Sequence, residues 1–156
     1  MTALILPSIL SPVPEAHLLS GKEVCDEVGK VAFGSRAYRV FEKADELRAS
    51  QPLDVFFYPS KGTKFGPAKA RWHGIYVGHV RSVAGAHPDD MKYRPPSTLE
   101  NENDNTGHWV VFFEVKELVE LTNAEALPMT RFKGYGSNKK YVSSFIPEGP
   151  LLVDVS

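Results

Sequence analysis

Four cations cluster in this chain: Lys61, Lys64, Lys69 and Arg71. Arg81 follows them, and no acidic residue occurs between Pro59 and Val83. Phe65 and Trp72 are interleaved with the charges. Ammonium and guanidinium groups hold phosphates, and aromatic faces stack on bases, so this mixture suits an anionic, flat partner such as nucleic acid. A second run, RFKGYGSNKKY at residues 131–141, has the same character with Arg131, Lys133, Lys139 and Lys140 beside Phe132, Tyr135 and Tyr141. The bland alternative for both is a solvated loop.

Other chemistries find little support. His17, His73, His79, His87 and His108 show no metal-ligand spacing, and Cys25 is the sole cysteine. A cysteine-only zinc site and an intrachain disulfide are therefore excluded. Ser137 to Lys140 matches S-x-x-K formally but lacks the companion motifs. There is no nucleophile elbow, P-loop or complete dinucleotide fingerprint. No cofactor and no metal are expected.

Positioning those side chains takes a fold, and 156 residues suit one domain with a real core. Apolar residues make up 42% of the chain and charged residues 24%, and the net charge is −1. A generic polyanion-coating protein is thereby excluded, and any nucleic-acid contact must come from a patch. The opening MTALILPSILSPVPEAHLL is apolar without a preceding basic region, and Pro7, Pro12 and Pro14 interrupt it. No apolar run reaches the roughly 20 residues a membrane span needs. Residues 1–28 read as an N-terminal arm, with at most a turn or short helix near Lys22–Val28, and residues 29–156 as a single domain. A cytoplasmic location is expected.

Lys30 to Phe33 suits a short strand. Ser35 is placed to cap a helix in which Ala37, Val40, Phe41, Ala44 and Leu47 share one face, ending near Ala49. Leu53 to Tyr58 is a strongly apolar strand. Ala70 to Val83 alternates, with Gly74 and Gly78 marking a bend or a close backbone approach. Gly85 to Gly107 is a long connector carrying Lys92 and Arg94 against five acids. Connectors of that length are uncommon unless functional or mobile. His108 to Leu121 and Leu151 to Val155 complete the strands. The fold class is α+β, a strongly bent sheet or small β-barrel with flanking helices.

Several segments resemble EVE domains, members of the PUA-like superfamily that includes the YTH, ASCH and SRA modules. Asp54-Val55-Phe56-Phe57-Tyr58-Pro59-Ser60 is similar to that family's apolar strand and the loop after it. Gly74 to Val83 resembles the next strand, and His87-Pro88-Asp89 resembles the opening of the long EVE connector. His108-Trp109-Val110-Val111 resembles the strand that follows it, and Phe33-Gly34-Ser35 a strand ending in Ser. The likeness covers roughly residues 30–155. The Arg-Asn-rich segment usual before the FFY strand is missing, and the loop Lys61 to Arg71 is longer and more basic than usual.

The resemblance implies a PUA-like barrel with a concave pocket for a single, often modified, base in DNA or RNA. Ser35, Tyr58, Ser60 and Trp109 fall on the matching pocket positions. Trp72 adds a third aromatic surface, and Lys61, Lys64, Lys69 and Arg71 would hold flanking phosphates. Trp72 and Trp109 read equally well as core residues, and Ser35 as a plain helix cap. The leading reading is a non-enzymatic nucleic-acid-binding module. The alternatives are an ASCH-like hydrolase using Lys61, Tyr58 or Glu114, and an interaction module that forms a homodimer through its apolar arm.

Overall fold

Period-two alternation builds the centre of this protein. The computed structural model describes residues 6–61, 68–101 and 103–156. In chain order these form β1 (Leu6–Pro14), α1 (Glu15–Val28), β2 (Val31–Ser35), α2 (Tyr38–Arg48), β3 (Asp54–Ser60), β4 (Lys69–Ala70), β5 (Trp72–Arg81), β6 (Val111–Glu120), β7 (Leu127–Pro128), β8 (Phe132–Gly134) and β9 (Leu151–Val155). Two short 3-10 turns lie at Pro96–Glu100 and Met129–Arg131.

Seven strands make one mixed sheet in the order β2-β6-β5-β3-β1-β9-β8, and β4 pairs with β7 apart from it. The architecture is α+β. The outermost strands β2 and β8 do not pair with each other, so the sheet is open and the closed-barrel form of the expectation does not hold.

On β3, Val55 and Phe57 face one way, into a cluster with Leu18 and Cys25 of α1 and Phe41 and Ala44 of α2. Phe56 and Tyr58 face the other way, against Leu10, Ala70, Met129, Phe132 and Val153. Helices thus cover one face of the sheet, and the segment from Leu127 to Phe145 covers the other. Phe33, Phe41, Phe57 and Phe113 meet at centroid distances of 4.6–6.4 Å in the first cluster. β5 alternates as expected, burying Trp72, Gly74 and Tyr76. A Cβ at Gly74 would lie 2.2 Å from Val115 Cγ1, and Gly78 has φ +132°, so both glycines are needed where the β5–β6 register shifts.

The largest departure is at the N-terminus. Residues 6–28 are not an arm but an interior strand and a 14-residue helix. β1 pairs in parallel with β3 from Ser8 and antiparallel with β9 through Leu10. Pro7 therefore has only β9 beside it, and Pro12 and Pro14 have only β3. A strand lacking these N–H groups is tolerable because each proline sits where one side of the ladder is open. Ile9 and Leu10 are fully buried, so a homodimer would have to use other residues. In α1 the buried face carries His17, Leu18, Gly21 and Cys25. Gly21 lets the helix approach β2 closely, since a Cβ there would meet Val31 and Phe33 side chains at 3.2 and 3.3 Å.

The connector is folded rather than loose. Its ends touch: the Gly107 N–H donates to Ala84 O at 2.8 Å. Its middle lies along β2, where the Ala32 N–H donates to Tyr93 O at 2.7 Å. Two buried side chains pin it. Arg94 donates from Nη1 to Ala32 O, from Nη2 to Asp104 O and from Nε to Asn105 Oδ1, at 2.8, 2.8 and 2.9 Å. His87 Nδ1 accepts the Asp89 N–H at 3.0 Å, so its Nε2 carries the proton and donates to Glu114 Oε2 at 3.1 Å.

Candidate functional site

Where the connector meets the ends of β1 and β2, the surface closes into a cavity of about 750 Å³. Pro12, Val13 and Pro14 of β1 form one side, and Phe33 and Gly34 of β2 form the floor. The connector contributes Arg94, Thr98 and Asp104, and His108 and Trp109 close it where the chain enters β6. His17 of α1 and Lys61, just past β3, complete the wall. The volume is in the range of ordinary small-molecule pockets.

Trp109 defines the cavity. A Cβ at Gly34 would lie 2.3–2.5 Å from Cδ1, Cγ and Nε1 of the indole, so the ring rests on bare backbone. The His108 ring stands edge-on to it at a centroid distance of 4.2 Å. The Trp109 Nε1 is buried and, among the described residues, has no hydrogen-bond partner. An unpaired buried donor costs about 1–3 kcal/mol, and this one lies against the Gly34 backbone at the edge of the cavity.

The polar wall divides into spent and available groups. All three Arg94 nitrogens are committed to the connector and β2, and burial lowers its pKa to about 10 without neutralising it. His17 Nδ1 lies 2.7 Å from Ser97 Oγ, which also stands 3.2 Å from Ala16 O, and His17 Nε2 lies 3.4 Å from Asn101 Nδ2. Asp104 Oδ2 stands 3.4 Å from that same Nε2. Burial lowers the His17 pKa, Arg94 and Lys61 reinforce the shift, and Asp104 opposes it. Asp104 thus faces a neutral imidazole at neutral pH, and the charge that acts on it from within the wall is that of Arg94. Lys61 sits exposed at the rim with φ +53°, in the left-handed region.

Of the residues singled out from sequence, Trp109 and Lys61 line this cavity. The others do not. Trp72 is buried in the core beside β6 and borders a second, smaller hollow of about 370 Å³. Ser35 is 2% exposed at the end of β2; its Oγ accepts the Ala37 N–H at 2.9 Å, fastening the turn before α2 rather than capping the helix. Tyr58 packs on the opposite face of the sheet, because it follows Phe56 in the alternation of β3. Ser60 ends β3 beside Pro14 and does not reach the cavity wall. Lys69 belongs to β4, and Arg71 donates to Asn123 Oδ1 at 2.9 Å in the second hollow, between Glu15 and Glu120. Lys64 lies outside the described residues. Of the described cations expected to hold phosphate, Lys61 alone lines the cavity.

Sequence reasoning missed His17, Gly34, Arg94 and Asp104. Arg94 carried a signal, as the only arginine in the connector. His17 carried none while its segment read as an arm. Among the described residues no helix is long and apolar enough to cross a membrane. No family model, no curated protein and no solved structure matches this chain.

Proposed function

We propose that this protein is a nucleic-acid-binding module that takes one unstacked base into the cavity beside Trp109. The observation that carries the reading is the Trp109 indole, laid on Gly34 and lining a base-sized cavity with its ring nitrogen unpaired. Base–aromatic stacking is worth about 1–3 kcal/mol per base, enough to offset much of the cost of unstacking it. Lys61 at the rim is placed to meet a flanking phosphate. The sequence resemblance to EVE domains, and with it a PUA-like descent for the bent sheet, supports the same reading. The test is titration of short single-stranded DNA and RNA at two salt concentrations, followed by indole fluorescence. Salt-sensitive quenching that disappears in Trp109→Ala supports the module; no binding to either polymer refutes it.

A hydrolase is the second reading, and one observation bears on it. Of Lys61, Tyr58 and Glu114, only Lys61 lines the cavity. Glu114 is held by Lys30 Nζ and His87 Nε2, each at 3.1 Å, under the connector. General acid–base chemistry would then fall to Lys61 alone, or to His17 and Asp104.

A further inference from the structure

The charge pattern inside the cavity narrows what kind of base it suits; this step rests on the base-binding reading above. A site built for a phosphate or another anion presents free cationic donors in its depth. Here the one deep cation, Arg94, is 2% exposed, and every nitrogen of its guanidinium donates to a protein oxygen. Lys61 is at the rim. The charged groups left deeper in the wall are acidic, beside Asn101, Asn103 and the aromatic rings. The Asp104 side chain is 16% exposed; its carboxylate stands beside His17 and feels the Arg94 charge, whose nitrogens donate to other oxygens. Glu100 lines the cavity from the exposed 3-10 turn with no ion pair among the described residues. Trp109 supplies the richest aromatic face for a cation, with His108 edge-on beside it.

We propose that the preferred occupant is a nucleobase carrying a positive charge on its ring, as ring-N-methylated adenine and cytosine do. Stacking on Trp109 then gains a cation–π component, and the Asp104 carboxylate gains a cation within the cavity, which the neutral His17 is not. A neutral base collects only the stacking. A protonated or methylated alkylammonium, such as a methylated lysine, would share the charge chemistry, but one indole with one edge-on imidazole offers a flat face for a ring rather than a cage of rings around a compact head group.

The experiment is calorimetric titration of the full chain at neutral pH with two matched pairs: 1-methyladenosine against adenosine, and 3-methylcytidine against cytidine. Within each pair the ring is the same, and the charged member differs by one methyl group and the positive charge it fixes. The expected result is binding about tenfold tighter for the charged member of both pairs. Asp104→Asn is expected to remove most of that ratio, the charged member of each pair losing more affinity than the neutral one. Glu100→Gln, on the exposed turn, provides a second variant with little risk to folding. Short DNA and RNA strands carrying a single 1-methyladenine identify which polymer supplies the base. Equal binding within each pair overturns the proposal while leaving the base-binding module standing. Tighter binding of a trimethyl-lysine peptide than of 1-methyladenosine also overturns it. Failure of every nucleoside and oligonucleotide overturns the base-binding reading itself.

Discussion

The indole of Trp109 rests on the backbone of Gly34, with no room between them for a methyl group: a Cβ at residue 34 would sit 2.3 Å from the ring. One residue on β2 thereby sets the position of the aromatic wall that closes the cavity. Gly34→Ala is expected to push the indole out of place at a stability cost of about 1–3 kcal/mol, the usual range for overpacking. The emission maximum of Trp109 should shift, and oligonucleotide binding should fall at least as far as it does in Trp109→Ala. Unchanged binding would mean that the wall is not where the base sits.

The two tryptophans should separate cleanly. Trp109→Ala is expected to cost about 1–3 kcal/mol of oligonucleotide affinity with little loss of stability. Trp72→Phe, at a fully packed core position, should do the reverse, lowering stability by about 1–3 kcal/mol while affinity stays within twofold. Urea unfolding and binding titration on the same two variants decide it. If Trp72→Phe were the variant that lost binding, the cavity would be misassigned.

The regular strands were legible because each encodes its own environment. Trp72 and Tyr76 alternate with half-buried neighbours, and they point inward. β1 was not legible, because prolines usually argue against an interior strand. They are admitted here only because β3 and β9 leave opposite ends of β1 single-sided, a fact about partners distant in sequence. α1 hid for a related reason: its buried face includes His17, Gly21 and Cys25 in place of an aliphatic stripe. At the site, residue type identified Trp109, but nothing local distinguishes it from Trp72. That distinction comes from position, since Trp72 is flanked by strands on both sides while Trp109 precedes β6. Tyr58 failed by one step of parity, the period-two rule sending it to the face opposite Phe57.

Arg94 should prove to be the residue on which the connector depends. Its guanidinium joins β2 to both arms of the connector, and it lies 4.8 Å over the Phe112 ring. Arg94→Ala leaves Ala32 O and Asp104 O buried without donors and is expected to cost on the order of 3 kcal/mol or more. Arg94→Lys should recover little of this, because one ammonium cannot reproduce three donors in a plane. Hydrogen exchange would show the loss as increased exchange across residues 93–107 before the sheet opens. Uniform exchange throughout the chain would argue against a separately pinned connector.

Acid should destabilise the fold in two stages, each with its own residue. Burial and the nearby Arg94 and Lys61 charges hold the folded pKa of His17 below its ordinary 6.5, against the opposing pull of Asp104. The unfolded chain therefore binds more protons than the folded one just below 6.5. The stability His17 contributes is full above that value and is lost as pH falls toward the lowered pKa. Glu114 behaves alike in a lower window. Burial alone would raise its pKa, but hydrogen bonds from His87 and Lys30 and their charges outweigh it, and the net shift is downward from 4.5. Its contribution is full above 4.5 and is lost as pH falls through the lowered value. Urea midpoints measured against pH should therefore fall in an upper step that His17→Gln removes and in a lower step that Glu114→Gln removes. Ligand binding should follow the upper step alone. Protonated His17 turns its Nε2–H to Asp104 and takes up the carboxylate left for the ligand, so affinity for a charged base should weaken as that step is crossed, while unfolding is still far off. A single step, or affinity that is flat through the upper window, would dissociate Asp104 from the ligand.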